Sequence, residues 1–146
     1  MKGVAIVGCG LIGQKRAKLL KGCKLIAVVD QIKERAETLA SQFPHCQALT
    51  DWREMLKLPE VEIVIVATLH ASLAEIALAA ATIGKHVLIE KPAGKHSSEL
   101  EPIIKAANQS GTLARVGFNH RYHRAFRKAR ELVDQNEFCL LYTSPS

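Results

Sequence analysis

A short apolar run leads directly into a glycine-spaced turn at the start of this chain: Gly3-Val4-Ala5-Ile6-Val7-Gly8-Cys9-Gly10-Leu11-Ile12-Gly13. Gly8, Gly10 and Gly13 fit G-x-G-x-x-G, and a helical pattern follows at once. Each glycine answers a backbone need. The first permits a tight turn, the second lets the main chain approach a pyrophosphate, and the third lets the helix pack closely on its strand. The helix, opening through Leu11 and Ile12, then aims unpaired N–H groups and its positive dipole end at phosphates. Alone the triplet is a weak signal; its strand-turn-helix setting gives it weight.

Strand and helix patterns alternate through the rest of the chain. Strands are expected at 3–8, 24–30, 46–48, 61–67, 86–90 and 112–118. Residues 61–67, Val-Glu-Ile-Val-Ile-Val-Ala, are the clearest, β-branched and almost continuously apolar as a central parallel strand should be. Helices are expected from 11 to near Gly22, over 32–43 up to Pro44, from Asp51 to about Leu58, over 71–83 up to Gly84, from a Ser98/Glu101 capping box to Gln109, and from Arg124 to Gln135. Such alternation specifies an α/β fold, a doubly wound parallel sheet of the Rossmann type with helices on both faces.

Composition removes other classes. Of 146 residues, 48% are apolar and 23% charged, as in an ordinary globular domain. The strand pattern begins almost at Met1, leaving no room for a signal peptide, and no apolar run is long enough to span a bilayer. Cys9, Cys23, Cys46 and Cys139 show neither a C-x-x-C pair nor metal-ligand spacing, so a cytoplasmic protein with reduced thiols and no metal is expected. The net charge of +6 owes much to Arg115, Arg121, Arg124, Arg127, Lys128 and Arg130. No nucleic-acid-binding motif accompanies them, and a substrate-facing rim or a solvated helix face explains them better.

A dinucleotide site also needs an acid near the end of the second strand, about 20 residues past the glycines. Asp30 stands there. Its carboxylate can accept from both ribose hydroxyls of an adenosine, and it repels a 2′-phosphate, which favours NAD over NADP. Lys33 and Arg35 argue the other way. A purely structural reading of Asp30, capping the next helix, remains open.

The pattern from residue 3 to about 135 resembles the Gfo/Idh/MocA oxidoreductases, the glucose–fructose oxidoreductase and inositol dehydrogenase group. The resemblance rests on the glycine loop, on Ala67-Thr68 closing the fourth strand, on Gly84-Lys85-His86-Val87-Leu88-Ile89-Glu90-Lys91-Pro92, and on Val116-Gly117-Phe118-Asn119-His120-Arg121-Tyr122-His123. The second-to-last string, with its Glu-Lys-Pro, is far more specific than the glycines. The resemblance implies NAD(P)-dependent hydride transfer from a secondary alcohol of a sugar or cyclitol. It places Lys91 beside the nicotinamide and the reacting hydroxyl, where it stabilises charge on the alcohol oxygen. Glu90 is then an orienting or structural partner rather than the base, and Pro92 restricts Lys91 to extended conformations. A cis Lys91–Pro92 bond is open to this turn, against a low base rate for cis X-Pro peptides. A solvated lysine in a loop is the bland alternative.

Many relatives carry Thr-Pro and then a histidine after the fourth strand. Here Leu69 replaces the proline and Leu73 the histidine, while His70 comes earlier. Thr68 and His70 are candidate contacts to the cofactor's ribose or diphosphate, or else caps of the following helix. Asn119 and Arg121 match the exit segment that lines the family's cleft; for Arg121 plain surface charge is the alternative. His120 and His123 have weaker cases.

In this family a second α/β domain follows and supplies the substrate pocket, the catalytic acid/base and the oligomer interface. We therefore expect residues 1–121 to form the dinucleotide domain, 122–136 to begin the connection onward, and 137–146 to be a non-native tail of a truncated reading frame. On that reading the chain binds NAD weakly and turns nothing over, homo-oligomers need the missing domain, and the apolar stripe of the 124–135 helix is partly exposed. A non-catalytic NAD(P)-sensing module is the competing function; Glu-Lys-Pro argues against it.

Overall fold

The computed structural model describes residues 1–135. Strands β1 (Lys2–Val7), β2 (Cys23–Val29), β3 (Gln47–Leu49), β4 (Ile63–Val66), β5 (His86–Ile89) and β6 (Ala114–Val116) make one sheet in the order β3-β2-β1-β4-β5-β6. Every neighbouring pair is parallel. Helices α1 (Leu11–Lys18), α2 (Lys33–Ala40), α3 (Trp52–Leu56), α4 (His70–Thr82), α5 (Leu100–Ser110) and α6 (Arg124–Asp134) alternate with the strands. The doubly wound architecture expected from the alternation is what forms.

Side-chain alternation along the strands divides the core between the two faces of the sheet. Val4, Ile6, Leu25, Val28 and Ile65 pack with Ala17 of α1 and with Ala36, Leu39 and Ala40 of α2. Ala5, Val7, Val29, Val64, Val66 and Ile89 pack with Met55 of α3, with Leu73 and Ile76 of α4, and with Ile103 of α5. Period two sends alternate residues of a strand to opposite layers. In β2 the register with β1 jumps between Val4↔Leu25 and Ala5↔Ala27, so Ile26 is the extra residue of a bulge.

Element ends follow local chemistry. Asp51 caps α3, its carboxylate accepting from Arg53 N–H. Gly111, at φ 68°, ends α5 in the left-handed conformation. The capping box expected at Ser98 and Glu101 does not form. Ser97–Glu99 is a 3₁₀ turn, and the carboxylate of Glu99 instead accepts the backbone N–H of Lys95 at 2.6 Å. Strand β6 is shorter than the 112–118 expected, and α1 stops before Leu19, whose N–H bonds back to Arg16 O at 3.1 Å. The tail assigned to 137–146, with Cys139, lies outside the described residues.

Lys85 and Glu90 are the two buried charged residues among those described, one on each side of β5. Lys85 Nζ donates to the carbonyls of Val61 at 2.6 Å and Leu58 at 3.0 Å, tying the α3–β4 connection to the start of β5. Burial pushes its pKa down. Replacing Lys85 by Met removes donors from both carbonyls at similar side-chain length. Lys85→Met should lower unfolding free energy by about 1–3 kcal/mol in urea titration. An unchanged midpoint contradicts this structural role.

Candidate cofactor and hydride-transfer site

Strand order reverses at β1: the chain runs outward through β2 and β3, then returns to place β4 on the other side of β1. In open α/β sheets the crevice outside the carboxyl ends of the strands at such a switch point is where ligands bind. The parallel sheet gathers Gly8, Asp30, Ala67-Thr68, Glu90 and Gly117 at that one edge.

The glycine loop is compressed on two sides. Gly8 has φ +99°, and a Cβ there would stand 2.5 Å from Ala67 O. A Cβ on Gly13 would stand 1.8 Å from Gly8 O. Gly10 differs, since a Cβ there would meet nothing within 4 Å. Its backbone borders open space on the approach to the start of α1. That helix has no side-chain cap and no acidic residue in its first turn. Its first N–H groups are therefore free for an anion, in the field of the helix dipole. Leu11 and Ile12, which carry two of them, have exposed side chains. The loop fits a dinucleotide's pyrophosphate on backbone geometry.

Asp30 both clamps the loop and caps the following turn. One carboxylate oxygen accepts Cys9 N–H at 2.9 Å, and the other accepts Ile32 N–H at 2.9 Å. Each oxygen keeps accepting capacity, so ribose hydroxyls remain within its means. The Cys9 side chain is buried, its Sγ directed at Val29 O. Burial first, and the Asp30 carboxylate second, push its thiol up to about 12.

After β4, Thr68 is half-buried and His70 exposed. Neither caps α4: Leu69 occupies the cap position without a side-chain bond, and Thr68 Oγ1 donates to Leu69 O at 3.3 Å. The capping alternative for both residues is thereby removed.

After β5, Glu90 is buried while Lys91 and Pro92 are exposed. The Lys91–Pro92 peptide is cis, against the base rate. The turn closes through Ala93 N–H, which donates to Glu90 O at 2.9 Å. Glu90 Oε1 accepts from both Nε and Nη2 of Arg16, the Nε bond being 2.7 Å. Arg16 Nη2 also donates to Asn119 Oδ1 at 3.0 Å. Asn119 thus joins the site through Arg16. A Cβ on Gly117 would stand 3.2 Å from Arg16 Nη2 and from both Glu90 carboxylate oxygens. Arg121, one turn away on the 3₁₀ segment Asn119–Tyr122, is exposed and in no ion pair among the described residues. His123 caps α6, its Nδ1 accepting from Ala125 N–H. Sequence reasoning missed Arg16 as a site residue because a helical arginine reads as surface charge.

The profile of the oxidoreductase family with an NAD-binding Rossmann fold matches residues 2–118. This chain belongs to the Gfo/Idh/MocA oxidoreductase family. Among its similar Gfo/Idh/MocA relatives is the scyllo-inositol 2-dehydrogenase (NAD(+)) of Bacillus subtilis, 30% identical over 91% of this chain and 40% of the relative. The inositol 2-dehydrogenase of Salmonella typhimurium is 26% identical over 90% of this chain and 41% of its own length. The crystal structure of GenD2 from gentamicin A biosynthesis in complex with NAD superposes with TM-score 0.86 at 31% identity, covering 93% of this chain and 40% of that one. The chain therefore spans about two-fifths of the length of these relatives. What they share with it is the NAD-binding Rossmann domain of an oxidoreductase family, and NAD is the family's cofactor.

Two outcomes follow from the loop. Asp30→Ala strands two backbone N–H groups, so it should cost about 1–3 kcal/mol in denaturant titration and lower NAD affinity by calorimetry; Asp30→Asn should fall between it and the parent. Burial in the fold pushes the Cys9 thiol up from its ordinary 9.0 to about 12. Its contribution to stability is therefore complete below pH 9 and lost as pH rises from 9 toward 12. Cys46, pushed up to about 11 by burial, acts in the same window. The thermal midpoint should decline above pH 9, and less steeply in Cys9→Ala; parallel curves would contradict the assignment.

Proposed function

We propose that this chain forms the cofactor-binding half of an NAD-dependent dehydrogenase acting on a secondary alcohol of a cyclitol or sugar. The observation that carries the reading is the Glu90-Lys91-Pro92 turn at the carboxyl end of β5. It lies on the same sheet edge as a glycine loop whose open, uncapped helix start has the backbone geometry to take a pyrophosphate. The names of the similar relatives, inositol dehydrogenases in the main, support a cyclitol-type substrate.

Bound NAD would supply the hydride acceptor. On this reading the backbone N–H groups of Leu11 and Ile12, behind Gly8, Gly10 and Gly13, hold the diphosphate. Asp30 takes the adenosine ribose, Thr68 and His70 border the diphosphate and second ribose, and Lys91 orients the alcohol. Its ammonium stabilises negative charge on the alcohol oxygen as the proton leaves. Asn119 and Arg121 border the cleft from the end of β6. Residues 1–121 constitute the cofactor domain and 122–136 the way out of it.

Loss of the hydroxyl proton needs a base. Glu90 is the carboxylate nearest Lys91 in sequence, but its Oε1 is occupied by Arg16. We accordingly assign the base outside residues 1–135, in the portion that the longer relatives possess. The 146-residue chain should bind NAD more tightly than NADP by isothermal titration, and should form no NADH with myo- or scyllo-inositol. Equal affinity for the two cofactors would remove Asp30 from its role. Sustained reduction of NAD by the purified chain would refute the assignment of the base.

A further inference from the structure

We infer that Arg16 is a positioning residue, coupling the phosphate-binding start of α1 to the orientation of Lys91. The inference rests on the reading above, in which the glycine loop holds the diphosphate and Lys91 faces the reacting hydroxyl.

Arg16 lies on α1 one turn beyond Gly13, on the helix whose N-terminus would meet the phosphates. Its side chain is largely buried, and it reaches across to Glu90, 74 residues away. Two guanidinium nitrogens converge on one carboxylate oxygen, and one of them continues to Asn119. A single planar group thereby joins α1 to the ends of β5 and β6. Glu90 is also fixed through its backbone. Its N–H donates to Val66 O at 2.9 Å, and its carbonyl accepts from Ala93 N–H. With backbone and carboxylate both tied, the next residue in the chain, Lys91, leaves from a defined point.

Stability alone is a poor explanation for this arrangement. Taking two charges out of water offsets much of their attraction, so apolar side chains of similar volume would serve stability as well. Fixed geometry is what a forked guanidinium supplies and a hydrocarbon does not. Gly117 makes the same point from the other side, since a side chain there would press on both charged partners.

The experiment titrates the 146-residue chain with ADP and with NAD by calorimetry. ADP engages the glycine loop and Asp30; NAD extends to the end of β5. The parent protein, Arg16→Met, Arg16→Lys and Gly117→Ala are compared, with thermal midpoints recorded alongside. Arg16→Met should keep ADP affinity within about twofold and lose NAD affinity by about fivefold or more, the lower range of a coupling between sites. Arg16→Lys restores the charge without the fork, so it should recover thermal stability but not NAD affinity. Where Arg16→Met does not fold, Gly117→Ala, which keeps both charges, should show the same split. Parallel losses for ADP and NAD, or full rescue of NAD binding by lysine, would overturn the coupling and leave a structural ion pair. If the parent binds neither nucleotide, the dinucleotide reading itself fails and takes the coupling with it. If it binds NAD and no variant changes the ratio, only the coupling fails.

Discussion

Helix α1 can begin where it does only because residue 13 has no side chain. The carbonyl of Gly8 occupies the place where a Cβ would be, and Gly8 in turn lies against the Ala67–Thr68 peptide. Three segments meet here with backbone touching backbone: the end of β1, the first turn of α1 and the end of β4. The contact fixes how far α1 stands from the sheet and where its unpaired N–H groups point. It also explains why Gly10, between them, is the glycine with space beside it. Two glycines close the packing and the third leaves an opening, so the proposed phosphate site would be a by-product of how tightly the first βα unit packs.

Strand β5 is held at both ends by buried charges with different roles. Lys85, entering the strand, donates to carbonyls of the α3–β4 connection. Glu90, leaving it, receives the guanidinium of Arg16. An unpaired charge in either place would carry a desolvation cost of several kcal/mol, and each is instead matched to fixed partners. Lysine has single donors on a flexible stem and suits separate carbonyls; arginine has a planar fork and suits a carboxylate. Between these anchors β5 is a short rigid element, and Lys91 is the first exposed residue beyond it.

Much of this was legible in the sequence, for physical reasons that vary by element. Strands β1 and β4 announced themselves because a parallel strand buried on both faces is apolar throughout. That Asp30 would stand against the glycine loop was legible by its distance from the glycines. The Ser98/Glu101 box misled because the pattern has no means of showing that Glu99 would turn back to Lys95 and draw the chain into a 3₁₀ turn first. Strand β6 came out short because only three of its residues find partners on β5. Arg16 and Lys85 were invisible for a common reason. Their partners lie 74 and 24 or more residues away, and local periodicity carries no trace of such pairs. The spacing around α6 did carry its message: Phe126 and Val133 form part of an exposed apolar stripe on a helix with no buried residue.

Packing also fixes the Asp30 carboxylate, the group to which the proposed function gives the choice of cofactor. An isolated carboxylate at a strand end could rotate away from a 2′-phosphate and let Lys33 or Arg35 take its place. This one is held through both oxygens, by the N–H of Cys9 on one side and of Ile32 on the other. Rotation would break both bonds, at about 1–3 kcal/mol in all. Lys33 is itself 3.5 Å from Glu37 on the exposed face of α2. The negative charge at the end of β2 is therefore part of the loop's own scaffold. On the proposed reading, a cofactor bearing a 2′-phosphate would meet that charge in place, whereas a ribose with two free hydroxyls would meet acceptors already held.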